Sequence, residues 1–380
     1  MLSFQMFGAT ETGARMPQHN PFTNPAPRGH LEGDFLREEV VLANRNHGIM
    51  LEALRHDVTP AGMHYLLNHF DVPYVADAAA WRLQIGGNVE TPLALSVAQL
   101  QALPQRTLRV TLECAGNGRG QVKPRWPSMP WMAEAVGTSE WTGTPLTGVL
   151  DMAGMKPGTV ELSFTGIDRG FDKGDEHDYG RSLKLERALD EDVLLVTAMN
   201  GQSLLPQHGF PLRLIVPGWY GMASVKWLDR IEALTSPYQG HQQVKTYMFK
   251  ARPEDHGVPI TTMRVKSLMV PPGVPDWYTR QRLVDAGTVT IFGRAWSGKA
   301  IPIAKVEVGV DGMWQEARLD PPAGPYAWRG WRFDWQAVKG EFGVACRATD
   351  AEGATQPLDI PFDRGGFGNN AVQRVQVTVR

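Results

Sequence analysis

Cysteine is nearly missing from this chain. Only Cys114 and Cys346 occur in 380 residues, far apart in sequence, which excludes a disulfide framework. Long apolar runs are missing too. Stretches such as Val193-Leu194-Leu195-Val196 fall far short of the roughly 20 residues a membrane helix needs, so no membrane partner is expected. Neither sign of charge dominates: 38 Lys and Arg stand against 40 Asp and Glu, a formal net charge of −2, which removes any bulk argument for nucleic acid or an anionic surface. Anion recognition must then be local. The N-terminus, Met-Leu-Ser-Phe-Gln-Met, has neither a basic start with an apolar core nor a twin-arginine pair, so no export signal is read and a cytoplasmic location is expected. If a leader was removed before residue 1, the periplasm is expected instead. The chain also lacks Gly-x-x-x-x-Gly-Lys-Ser/Thr, Gly-x-Ser-x-Gly, His-Glu-x-x-His and Cys-x-x-Cys, and Gly116-Asn117-Gly118-Arg119-Gly120 brings its third glycine too early for a dinucleotide fingerprint.

What is present divides the chain into three. Residues 1–35, rich in Pro, Asn and Gly and without apolar period, read as an irregular arm. Over residues 36–250 strand patterns alternate with short helical ones. Trp81–Gly87, the run ending at Glu113, Val160–Phe164 and Leu212–Val216 read as strands, and Ser96 caps an expected helix over Val97–Leu103 that Pro104 ends. From Arg37 to Leu54 no helix is read, only a turn at Arg45-Asn46-His47-Gly48. The expected class is α+β, a mixed α/β domain. Over residues 251–380 the runs Val289–Trp296, Ile303–Val310 and Gly343–Thr349 are strands separated by Gly and Pro turns, which predicts a β-sandwich of immunoglobulin type with Cys346 as a buried structural residue.

One stretch carries chemistry. In Thr111-Leu112-Glu113-Cys114-Ala115-Gly116-Asn117-Gly118-Arg119 a thiol sits where a strand becomes a glycine-rich loop, and Arg119 supplies a fixed cation five residues on. An inert buried thiol, a soft-metal ligand and a nucleophile are all compatible with that placement. Two later stretches can bind a polar ligand. His208-Gly209-Phe210-Pro211-Leu212-Arg213 places a histidine and an arginine to grip a phosphate, and the loop from Pro217 to Trp227 offers amides, the Ser224 hydroxyl and the Lys226 ammonium. His64 and His69 are five apart and do not share a helix face, so they are not read as a zinc pair.

Glu-Cys-Ala-Gly-Asn followed by arginine, together with the His208 and Pro217–Trp227 stretches in that order, resembles the sulfite oxidase family of molybdenum enzymes. The resemblance runs over roughly residues 63–380. It implies molybdenum held by two pterin sulfurs and the Cys114 thiolate, with Asn68, His69, Asp168, His208, Arg213, Ser224 and Lys226 around molybdopterin. It further implies that Arg119 and Arg364 hold an oxyanion, that Tyr247 donates a hydrogen bond and assists proton movement, and that Trp131 walls the substrate pocket. The β region resembles the family's dimerisation domain, so a homodimer is expected.

The family pattern is broken at Leu67, where an arginine is expected before Asn68, and at Pro127 and Thr246, which stand for a lysine and an acid. Arg45-Asn46-His47 has the family's letters but lies over twenty residues too early. The expected function is molybdenum-dependent oxidation of sulfite to sulfate. Its electrons would pass to an external acceptor such as a c-type cytochrome, since no haem attachment site is read. Another sulfur oxyanion, nitrate or a sulfoxide is the alternative substrate, and a non-catalytic binding protein the alternative class.

Overall fold

The computed structural model describes residues 35–380, so the expected arm lies almost wholly outside the described residues. The first unit is built on two sheets. One has the strand order β2-β1-β10-β5-β6, from β1 (Arg82–Gly87), β2 (Leu93–Ser96), β5 (Glu161–Asp172), β6 (Asp175–Lys184) and β10 (Leu228–Leu234). The other has the order β3-β4-β7-β8, from β3 (Arg106–Glu113), β4 (Val136–Pro145), β7 (Leu194–Met199) and β8 (Gln202–Ser203), with β9 (Arg213–Ile215) also on β7. Period-two sequence produces this burial: in β1 Leu83 and Ile85 turn inward while Arg82 and Gln84 face water. Helices are few and short.

Helix α2 (Val97–Ala102) begins as its sequence predicts, with the Ser96 hydroxyl accepting from Gln99 N at 3.1 Å and Gln99 Oε1 accepting from Ser96 N at 2.9 Å. Helix α3 spans Leu146–Ala153 and α4 spans Leu185–Ala188. Helix α1, at Arg37–Arg45, corrects the reading that no helix lies between Arg37 and Leu54. Its polar sequence offers no wide apolar stripe; Glu39 holds it instead. That carboxylate accepts from Leu36 N at 2.9 Å, from Ser128 N at 3.0 Å and from the Arg125 guanidinium. Arg125 and Ser128 lie over 80 residues away, so the support is tertiary.

After a small pair, β11 (Met248–Phe249) with β12 (Val258–Pro259), the second unit is a two-sheet sandwich. One sheet runs β13-β16-β20-β19, from β13 (Lys266–Met269), β16 (Gly287–Trp296), β19 (Arg318–Leu319) and β20 (Arg329–Ala337). The other runs β14-β15-β22-β21-β17-β18, from β14 (Val274–Pro275), β15 (Arg282–Val284), β17 (Ile303–Val310), β18 (Met313–Glu316), β21 (Gly340–Asp350) and β22 (Gln373–Val379). Val306, Val308, Ile291, Trp331, Val344 and Val375 fill the space between the sheets. Cys346 is fully buried there, and burial pushes its thiol up to about 12.

The two units share a core. Leu268, Trp296, Trp328 and Phe367 of the second pack into the apolar cluster of the first. The free edge of β3 is covered by the second unit as well, Thr111 N donating to Tyr326 O at 2.9 Å.

Candidate active site

Strand β3 delivers Cys114 to the meeting point of two cavities. The strand ends because the following residues leave the ladder: Asn117 N turns back to Cys114 O at 2.9 Å and Arg119 N to Gly116 O at 2.9 Å. Two glycines permit this turn. A Cβ on Gly116 would stand 2.6 Å from the Arg119 guanidinium, and Gly118 has φ +86 with Asn369 only 2.7 Å from where a Cβ would be. Asn117 ties the loop down, donating from Nδ2 to Glu113 Oε1 at 3.0 Å and accepting from Ala135 N at 3.1 Å. The Cys114 thiol is 5% exposed; burial raises its pKa, and the nearby Arg119 cation works against that rise.

The inner cavity lies between Cys114, His64, Tyr65, Asp168, Tyr179, His208, Arg213, Ser224 and Lys226. Arg213, stacked on Trp141 at 4.7 Å, donates from Nη1 to His208 O at 2.9 Å and from Nη2 to Ser224 O at 3.1 Å, which locks the two predicted ligand stretches together. Lys226 reaches Leu67 O at 2.9 Å, Gln207 O at 3.0 Å and the Asn68 side chain. The Ser224 hydroxyl accepts from Val216 N at 3.1 Å.

Burial depresses the imidazoles: His64 to about 4, His69 to about 3 and His208 to about 2, so all are neutral at pH 7. Burial also raises the Asp168 carboxyl and lowers the Lys226 ammonium, each opposed by the other's charge. Among the described residues, Asp168 Oδ1 and Arg213 Nε are buried without a hydrogen-bond partner. An unpaired acceptor and an unpaired donor beside a thiol suit a ligand that brings both amide-like groups and phosphate. Molybdopterin is such a ligand, so these residues fit it.

The outer cavity, a cleft of about 540 Å³, opens from the same thiol. Its walls include Arg119, Tyr247, Arg364, Trp126, Met129, Lys250, Phe171 and Phe367. Arg119 is anchored through Nε to Gly365 O at 2.6 Å and through Nη1 to Ser128 Oγ at 3.1 Å, with its guanidinium over the Phe367 ring at 4.7 Å. Its Nη2 has no hydrogen-bond partner among the described residues. Leu67, His69, Cys114 and Tyr247 line both cavities.

The structure therefore brings Cys114, Arg119, Tyr247 and Arg364 to one cleft, and Asp168, His208, Arg213, Ser224 and Lys226 to the cavity behind it. His69 lines both, and Asn68 lines the cleft while its side chain accepts from Lys226. Trp131 is placed differently from the expectation. It is 4% exposed, beside the Cys114 thiol, whose burial-raised pKa it lowers, and it lines a separate groove with His47, Met50 and Pro271, while the tryptophan of the cleft is Trp126, over which the Arg364 guanidinium lies at 4.1 Å. The loop after Cys114 has no periodicity, so no sequence signal says which indole turns inward.

Arg45-Asn46-His47 proves to be a buttress. Asn46 Oδ1 accepts from Asn68 N at 2.7 Å, and Arg45 binds Phe70 O at 3.2 Å. Sequence reasoning also missed Tyr179 and Arg181. Burial raises the Tyr179 phenol to beyond the ordinary range, and the Arg181 guanidinium lies 5.4 Å from the centre of the Tyr247 ring. Both sit in the ordinary strand pattern of β6, which hides them.

Residues 69–242 match the model of the oxidoreductase molybdopterin binding domain, and residues 258–380 that of the Mo-co oxidoreductase dimerisation domain. The mitochondrial sulfite oxidase of Mus musculus is 33% identical over 346 residues, covering 85% of this chain and 62% of that protein. NADH nitrate reductase of Solanum lycopersicum is 30% identical over 352 residues, covering 85% of this chain and 38% of that one. This chain thus spans less than two thirds of these curated relatives. The crystal structure of the sulfane dehydrogenase SoxCD from Paracoccus pantotrophus superposes with a TM-score of 0.76 at 26% identity, covering 98% of this chain and 93% of that one. From the two matched domains, these relatives and a donor set that suits the cofactor, the chain belongs to the sulfite oxidase family of molybdopterin oxidoreductases, and molybdenum–molybdopterin is the cofactor this implies.

Proposed function

We propose that the protein oxidises sulfite to sulfate. The observation that carries this reading is the convergence of Arg119, whose Nη2 has no partner among the described residues, and Tyr247 on the cleft that ends at Cys114. When bound, the cofactor supplies two-electron redox chemistry and oxygen-atom transfer. In the net reaction sulfite and water give sulfate, two protons and two electrons, and the electrons pass to a separate acceptor such as a c-type cytochrome. Arg119 would hold the oxyanion, an electrostatic task that needs no proton transfer, with Arg364 as the second cation. The Tyr247 phenol, its pKa raised well above its ordinary value by burial, stays protonated and donates. Neutral His69 holds the phenol oxygen, its Nε2 lying 2.7 Å away. Match of the second unit to a dimerisation domain supports a homodimer.

Oxidation of a sulfane sulfur by the same cofactor is the second reading. It is favoured by the nearly full-length likeness to SoxCD and by Leu67 standing on the cleft wall where a cation would select a small dianion.

The test is molybdenum and pterin analysis of purified protein, followed by turnover with an artificial acceptor. Sulfite and a sulfane compound such as thiosulfate are compared as substrates, with nitrate reduction assayed separately. Sulfate formed from sulfite, one per two electrons, is the expected result. The variant Cys114→Ser should stay folded and lose turnover. Cofactor-loaded protein that makes no sulfate from sulfite overturns the sulfite reading.

A further inference from the structure

The residue preceding the metal-binding cysteine carries a charge of its own, and the second unit answers it. Glu113 is 2% exposed, and its oxygens bond within the protein: Oε1 accepts from Lys266 Nζ at 2.9 Å and Asn117 Nδ2 at 3.0 Å, and Oε2 from Trp296 Nε1 at 2.9 Å. The Lys266 side chain is 4% exposed and also donates to Asn369 O at 2.8 Å. Lys266 and Trp296 are directly paired across β13 and β16, so one rung of the second unit's sheet supplies both partners. Lys266 lines neither the inner cavity nor the cleft. A buried ion pair of this kind adds little net stability, because desolvating both charges offsets their attraction. Its consequence for the site is electrostatic, since charge acts more strongly in a dry interior than in water.

We propose that Lys266 is a positioning residue that acts through Glu113 on Cys114. Its ammonium cancels the carboxylate beside the thiolate, so the second unit helps to set the reduction potential of molybdenum, and with Trp296 it fixes the end of β3. The inference rests on the cofactor and not on which sulfur species is oxidised. An uncompensated anion near a metal favours the more positive, oxidised state and lowers the potential; an uncompensated cation raises it.

The experiment is a redox titration of molybdenum followed by electron paramagnetic resonance in the cofactor-loaded wild type, Glu113→Gln, Lys266→Met and the double variant. Melting temperature and metal content are recorded for each. Glu113→Gln, close in shape and still able to hydrogen-bond, should raise the potential. Lys266→Met should lower it, and the double variant should return towards the wild type. Glu113→Gln decides the matter even if Lys266→Met fails to fold, because the amide cannot ionise. An unchanged potential in Glu113→Gln overturns the proposal; a merely structural pair would change melting temperature and metal content alone. Loaded wild type that titrates normally yet does not oxidise sulfite overturns only the substrate reading. Wild type that binds no molybdenum overturns the cofactor assignment and this inference with it.

Discussion

His69 Nε2 and the Tyr247 hydroxyl lie 2.7 Å apart on the wall between the inner cavity and the cleft. The imidazole, held neutral with a pKa of about 3 by burial, carries a single N–H, and in the tautomer with that proton on Nε2 it donates to the phenol oxygen and leaves the phenol hydrogen for the cleft. This contact makes His69 the orienter of Tyr247. Tyr247→Phe is expected to lower sulfite kcat by about a hundredfold, the lower end of what a placed proton donor contributes. His69→Phe should lower kcat by a smaller factor, because the hydroxyl stays but swings. Steady-state kinetics on both variants checks this, and equal kcat in His69→Phe and wild type would detach the histidine from the tyrosine's role.

Leu67 lines both cavities and its carbonyl accepts from Lys226 at 2.9 Å, so residue 67 sits where the inner cavity meets the cleft. Leu67→Arg is expected to lower the sulfite KM by roughly tenfold, which corresponds to about 1.4 kcal/mol. A cation added near Lys226 and Arg119 also costs stability, so melting temperature is measured with KM. A normally folded variant with unchanged or higher KM would show that residue 67 does not reach the oxyanion.

Glu39 links the first helix to Arg119, the cation of the cleft. It accepts from Ser128 N, and Ser128 Oγ accepts from Arg119 Nη1 at 3.1 Å. Glu39→Ala removes the helix cap and leaves Arg125 without this carboxylate, at an expected cost of about 2–4 kcal/mol. Chemical denaturation gives the loss of stability, and sulfite KM should rise in the same variant because Ser128 is released.

Acid should unfold the apo protein early. The unfolded chain binds protons at His64, His69 and His208 as pH falls below about 6.5, the ordinary histidine value. The folded chain does not until about 4, 3 and 2 respectively. The unfolded state thus binds more protons in that window, and stability falls as pH falls, by up to about 1.4 kcal/mol per pH unit for each histidine. Urea midpoints between pH 7 and 4.5 measure this slope, and His208→Gln should reduce it by about one histidine's share.

The strand into Cys114, the glycine loop after it and the strands from Gly287 to Val310 were legible because each obeys a local rule: alternate burial, a turn that only glycine relieves, a cap at Ser96. The family motif joined those local readings to a cofactor and to Arg119, Tyr247 and Arg364. Other features depend on partners that sequence spacing does not reveal. The helix at Arg37–Arg45 depends on Arg125 and Ser128, the choice of Trp126 over Trp131 for the cleft depends on how an aperiodic loop packs, and Glu113 meets Lys266 across 153 residues. Sequence by itself determined the capped helix, the alternating strands named above and the chemistry of the cysteine loop, since those follow from neighbours along the chain. Tertiary structure alone decided which side chains face the cleft, which imidazoles are held neutral and which charge is cancelled behind the thiol, since burial and pairing are set by residues distant in sequence and close in space.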